Sequence, residues 1–241
     1  MAGRSSASGT IDTNGATSRD HLTRPRVVAA ALAIVDRDGL TGLTMRALGR
    51  ELEVDPMAVY HWFPNKQAIL QGVVEAILSE IAVPADWQPA SWQEAELTIA
   101  REYRAALMRH PNALPVASTQ PVMTTAGIEM VELALRALVA GGLTPGAALE
   151  AVDTAASFVI GDCMVHVGVT PGTEPLASEE IARAYSGIDP GRFPLMIAAM
   201  TEAWALMGDD EAQFETAIDA LIGGLDASFR SRGLLTTATN G

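Results

Sequence analysis

Residues 44–63 read TMRALGRELEVDPMAVYHWF, and the Asp55-Pro56 pair inside them constrains the fold more than any other feature. Proline has no amide hydrogen and a fixed φ near −65°, so a helix accepts it only in its first turn. An aspartate just before it can take the amides that the first turn leaves unpaired, so a helix starts at 56. Upstream, Thr44 is a cap of the same kind. Leu48 and Leu52 then share one face at i, i+4, while Arg46 and Arg50 point elsewhere. Glu53, Val54 and Asp55 are left to turn the chain. Beyond the corner, Val59 and Phe63 repeat the i, i+4 spacing, which leaves Met57, Tyr60, His61 and one side of Trp62 outward. The pattern predicts two short helices meeting at a tight polar corner, the second too aromatic and polar outside for a plain core helix.

Helical signals extend in both directions. Thr23 and Pro25 open a helix with Val27, Val28, Ala31, Leu32 and Val35 on one stripe, closed by Asp38-Gly39. Asn65 caps a helix over 66–81, and Ser91 with Glu94 forms a capping box for one reaching 110, with Leu97, Ala100, Tyr103 and Leu107 inward. Proline-punctuated residues 111–120 follow, then a helix over 124–140 and a long one over 144–169 that is apolar on nearly every face. A Gly/Pro loop at 170–175, a short helix capped by Ser178, a loop at 187–191 and a helix over 193–207 come next. The last helix, 211–232, carries Phe214, Ile218, Leu221, Ile222, Leu225 and Phe229 as a stripe. No strand-like alternation appears, so the fold is all-α with roughly nine to eleven helices. Four regions are expected: a polar tail at 1–22, a small domain at 23–66, a larger one at 67–232 and a tail at 233–241.

Charge divides along the same line. The net charge is −13, yet residues 1–66 carry +1 and the rest −14. Only the N-terminal part can approach a phosphate backbone without repulsion. A lone Cys163 permits no internal disulfide, no apolar run is long enough for a membrane span, and the opening residues lack the apolar core of a secretory signal. The expectation is a cytoplasmic protein with no membrane partner. No Ser-His-Asp, paired-carboxylate or phosphate-loop arrangement points to catalysis, and no cofactor is expected.

Residues 29–70, AAALAIVDRDGLTGLTMRALGRELEVDPMAVYHWFPNKQAIL, resemble the N-terminal region of the tetracycline-repressor-like (TetR) transcriptional regulators. The run VDPMAVYHWFPNK follows that family's order of a Val after the turn, a Leu/Val-Tyr pair, an aromatic or His pair, Phe, and a closing Asn/Ser-Lys. Glu53 departs from it, standing where the family very often has Gly; a positive φ there would cost a Glu about 1 kcal/mol. FPLMIAAM at 193–200 and FETAIDALIGGLDA at 214–227 are more loosely similar to the tetracycline repressor's own C-terminal domain.

The resemblance implies a three-helix helix-turn-helix DNA-binding domain followed by a larger helical ligand-binding and dimerisation domain. Arg46 matches a guanine-reading position, and Pro56, Met57 and Ala58 match positions at the groove floor. His61 adds a base or phosphate hydrogen bond, and Thr44, Tyr60, Trp62 and Lys66 match positions that grip phosphates. Tyr60 and Trp62 also fit simple packing of the small domain. Helices 144–169 and 210–232 would form a homodimer that demands an inverted-repeat operator in double-stranded DNA.

The helices between would enclose a small-molecule effector. Candidate contacts are Trp92, Tyr103, Met108, Met123, Phe158, Met200 and Trp204, each of which equally fits the core. Asp162 and His166 share one helix face at i, i+4; they fit a ligand contact, a metal site with Cys163, a mutually satisfied pair or an exposed helix end. The family's magnesium-binding His has no counterpart in Val116-Ala117-Ser118-Thr119, which argues against tetracycline itself. A ligand-released repressor is the leading expectation; an activator, or an enzyme or binding protein that borrowed the fold, is the alternative.

Overall fold

The computed structural model describes residues 22–83, 87–119, 124–167, 186–206 and 210–236, with only the backbone at 203–206. The chain folds into α1 (Arg24–Gly42), α2 (Met45–Glu51), α3 (Pro56–Trp62), α4 (Lys66–Leu78), α5 (Trp92–Arg109), α6 (Leu114–Ala117), α7 (Thr125–Ala140), α8 (Pro145–Val167), α9 (Pro194–Leu206) and α10 (Asp210–Ser231). No strand occurs among the described residues, although an isolated bridge pairs Leu143 with Leu235.

Helix starts follow the caps. Thr23, Thr44, Asp55, Asn65, Ser91 and Thr124 each accept an amide of the first turn that would otherwise lack a partner. Gly39, at φ 68°, ends the regular part of α1 at the predicted place, and a further turn carries the helix to Gly42.

The corner between α2 and α3 is tight. A side chain on Gly49 would place its Cβ 3.0 Å from both Val54 O and Pro56 Cγ. Val54 N donates to Gly49 O at 2.9 Å. Glu53 takes φ 56°, alone among the described non-glycine residues in having a positive φ, so its expected strain is present. Val27, Ala31, Ile34, Leu48, Val59, Phe63, Ile69 and Val73 fill the centre of this N-terminal unit, with α1 packed on α4 and α2 on α3.

Around α5 the larger domain assembles: α7, α8 and α10 all pack on it. Trp92 meets Phe229 at 5.6 Å between ring centroids, and Phe158 stacks on Phe214 at 5.9 Å. The buried face of α8 is a row of small residues, Ala147, Ala148, Ala151 and Ala155, followed by Val159 and Cys163. Its other apolar residues are half-buried or exposed, with Leu149 52% and Val165 84% exposed. At α9, Leu195 is 84% exposed and Phe193 and Met196 are exposed as well.

Several boundaries differ from the sequence reading. Helix α4 stops at Leu78, where Ser79 closes it. Residues 111–120 hold more order than their prolines implied: Pro111 opens a single 3₁₀ turn and Pro115 sits in the first turn of α6, where proline costs nothing. The 170–175 loop, the helix capped by Ser178, Met207 and residues 84–86 of the loop before α5 lie outside the described residues. No helix among the described residues is long and apolar enough to cross a membrane.

Glu53→Gly removes a side chain from a left-handed position and is expected to raise stability by about 0.5–1 kcal/mol, read as a later urea midpoint at unchanged slope. An unchanged midpoint would mean that the turn carries no strain.

Candidate functional site

The outer surface of α2 and α3 is cationic and aromatic. Arg46 and Arg50, one turn apart on α2, are exposed and have no ion-pair partner among the described residues, whereas nearby Arg37 is occupied by Asp38 and Glu51. Thr44, Arg46, Gly49, Arg50, Glu53, Val54 and Pro56 line one shallow open depression, which joins the arginines to the start of α3 and includes one carboxylate. Along α3, Met57 is 71%, Tyr60 44% and Trp62 41% exposed, and the exposed His61 ring stands edge-on to Trp62 at 6.1 Å. Ala58 is half-buried behind them.

Two predicted clamps have internal bonds. Thr44 Oγ1 accepts Ala47 N at 3.0 Å, which leaves its own hydrogen free to donate. Lys66 Nζ donates to Leu40 O at 2.9 Å, so the ammonium holds α1 to α4 and keeps its other hydrogens for solvent or an anion. Arg50 is the cation that the sequence reading left out of the surface, although its i+4 relation to Arg46 was visible.

A second feature lies in the larger domain, a cavity of about 120 Å³ bounded by the end of α4, α5, α7 and α8. Leu78, Ile99, Met130, Val131 and Val152 represent its apolar wall, and only Glu96 and Tyr103 among its lining residues carry polar side chains. Glu96 is 1% exposed, and its Oε2 has no hydrogen-bond partner among the described residues. Burial pushes its carboxyl up to about 7. Burial, reinforced by the nearby Cys163 thiol, pushes the Tyr103 phenol up to about 12.

Of the predicted ligand contacts within the described residues, Tyr103 lines this cavity and the others do not. Trp92 is buried against Phe229, and Phe158 lies on Phe214. Met108 and Met200 are half-buried. Asp162 accepts Arg104 Nε at 2.9 Å, while His166 lies 3.6 Å from Asp210, so the two do not pair with each other. Among the described residues no group of three His, Cys, Asp or Glu side chains is placed to hold a metal ion. Met123 and the side chain of Trp204 fall outside the described residues.

A polar cluster that the sequence reading missed joins α1 to the ends of α4 and α5. His110, at the end of α5, has Nδ1 2.9 Å from Asp36 of α1 and Nε2 2.8 Å from Glu80 just beyond α4. Arg109 Nε donates to Glu80 at 2.8 Å, and Asn112 Nδ2 donates to Asp36 O at 2.8 Å. Burial raises Glu80, but hydrogen bonds from Arg109 and His110 outweigh it and hold the carboxyl below its ordinary value.

Residues 27–73 match the family model described as bacterial regulatory proteins, tetR family, and residues 84–229, more than half of the chain, match the tetracyclin repressor-like C-terminal domain. This chain belongs to the TetR family. The TetR relatives include the transcriptional repressor DrrR1 of Streptomyces coeruleorubidus, 27% identical over 88% of this chain and 80% of its own length. The class A tetracycline repressor from transposon 1721, of Escherichia coli, is 29% identical over 83% of this chain and 88% of its own. Among solved TetR structures, ActR of Streptomyces coelicolor in complex with actinorhodin aligns at a TM-score of 0.72, covering 87% of this chain and 97% of that one. At 24% identity that likeness is one of fold.

Because Glu80 is held below its ordinary 4.5, its contribution to stability is complete above that pH and is lost as the pH falls through the lower folded value. Glu80→Gln is expected to cost about 1–2 kcal/mol at pH 7. In urea titrations the gap from wild type should close below pH 4.

Proposed function

We propose that this TetR-family regulator is a ligand-responsive repressor that grips an inverted-repeat operator as a two-fold dimer. The observation that carries this reading is the pairing of two unpartnered arginines on α2 with an exposed, hydrogen-bonding aromatic face on α3, in a chain whose remaining part is acidic. A helix-turn-helix lays its second helix in the major groove. There Pro56, Met57 and Ala58 offer apolar surface to thymine methyl groups, and Arg46 offers a guanidinium fork to guanine. Thr44, Tyr60, His61, Trp62 and Lys66 supply donors for phosphates at the rim, joined by Arg50.

The outer faces of α8 and α10 support the dimer. Leu149, Asp153, Ser157, Gly161 and Val165 form an exposed row on α8, and Ala217, Ala220, Gly224 and Ala227 one on α10. Small side chains on both rows let helices approach closely across a two-fold axis, as in a four-helix bundle. The exposed Phe193, Leu195 and Met196 at α9 add apolar surface that a second copy would cover.

Release by an effector follows from α4. Its first residue, Lys66, belongs to the DNA face, and Leu78 at its other end lines the cavity. Occupying the cavity therefore changes the packing against the helix that carries the reading unit. This shifts operator affinity only if the ligand favours one of two arrangements.

The test is DNA binding by the full-length protein, followed by fluorescence anisotropy against selected inverted repeats and scrambled duplexes at several salt concentrations. Affinity for the repeat should fall steeply with salt. Arg46→Ala should weaken the preferred site by about 1–3 kcal/mol and leave scrambled DNA nearly unchanged. Equal, salt-insensitive binding to both duplexes would sink the proposal.

A further inference from the structure

The effector cavity contains a group that an apolar ligand would leave unsatisfied. Of the four helices around the cavity, α5 alone contributes polar side chains to its wall, Glu96 and Tyr103, which lie two turns apart on one face. Glu96 is 1% exposed, with Oε2 unpartnered among the described residues. Among the described residues no arginine, lysine or histidine lines the space. A buried carboxylate normally has a cation or several donors beside it, because an unpaired one costs more than the fold gains elsewhere. Here the missing partner has an open cavity in which to sit.

Resting on the reading of this cavity as the effector site, we infer that the effector is a mainly apolar molecule with one protonated nitrogen that docks on Glu96. An ammonium supplies both opposite charge and N–H donors to the Glu96 carboxylate, and a charge-assisted bond in a dry wall is stronger than one to a neutral donor. The surrounding alanine, valine, leucine and methionine side chains take the apolar body. The Tyr103 hydroxyl provides a second polar point, roughly 10 Å along the helix by the rise of seven residues.

Binding of such a cation is linked to pH through Glu96 alone. Tyr103, raised to about 12, stays neutral, and the lining residues from α4, α7 and α8 carry no titratable side chain. With the free carboxyl titrating at about 7, only about a tenth of it is ionised at pH 6. The cation should therefore bind about ten-fold more weakly at pH 6 than at pH 8.

The probes are 4-phenylbutylamine and its neutral counterpart 4-phenylbutanol, titrated calorimetrically into full-length wild type, Glu96→Gln and Glu96→Leu. In wild type at pH 8 the amine should bind at least ten-fold tighter than the alcohol, with the pH dependence just given. Both variants should lose that preference. Glu96→Leu should also melt about 2–4 °C higher, since it removes an unsatisfied buried group, which separates loss of binding from loss of fold. If the alcohol matches the amine in wild type, or the preference survives in Glu96→Gln, the assignment to a cation is wrong while the cavity remains a binding site. If neither probe binds, the effector reading of the cavity fails and takes this inference with it.

Discussion

One imidazole ties the N-terminal helices to the end of α5. His110 lies between Asp36 of α1 and Glu80 at the end of α4, its ring largely shielded and both nitrogens within 2.9 Å of carboxylate oxygens. Each ring nitrogen thus meets a carboxylate from a different element. Hydrogen bonds to charged groups of this kind contribute about 1.5–3 kcal/mol, well above the 0–1 kcal/mol of exposed pairs such as Arg136 with Glu132. The cluster also has direction. It joins the first helix of the N-terminal unit to the last turn of α5, whose inner face forms the cavity wall.

What the sequence made legible is local. Asp55-Pro56, Thr44, Asn65 and Ser91 each announce a helix start through chemistry that acts within three residues, and the structure begins a helix at each. The exposed face of α3 was equally readable, because Val59 and Phe63 fix which side is buried. Glu53 was flagged by its departure from a family pattern, and its φ of 56° accounts for why glycine is common there. The roles of His110 and Glu96 depend on what other helices bring near them, and that information is not local. His110 meets partners from α1 and α4, while Glu96 faces a space closed by α4, α7 and α8. A spacing clue to Glu96 did exist: with Ala100, Tyr103 and Leu107 it falls at i, i+4, i+7 and i+11. A carboxylate on that inward row is out of place unless something is meant to meet it.

Asp162 shows the opposite case, a polar pattern that tertiary structure resolves without a ligand. Its i, i+4 relation to His166 on an apolar helix invited a shared role. Arg104 instead reaches across from α5, bonding Asp162 through Nε and Glu211 through Nη1 at 2.6 Å, while its guanidinium lies 4.6 Å from the Phe214 ring. The arginine thus fastens α5 to α8 and α10 and neutralises the charge that made Asp162 conspicuous. Glu96, on the same helix, has no such partner among the described residues. The contrast is between an acidic side chain held by an internal cation and one that has no such partner among the described residues.

In the proposed repressor, helix α4 would act as a lever arm. Its 13 residues span about 18 Å at 1.5 Å per residue, with Leu78 at the cavity and Lys66 at the opposite end. A tilt of about 5° about the cavity end would carry the far end by roughly 1.6 Å, and two copies tilting in opposite senses would double that to about 3 Å. The rise of one base pair is about 3.4 Å, so in the proposed dimer a repacking no larger than a side-chain adjustment would be enough to put the two copies of α3 out of phase with successive turns of the duplex.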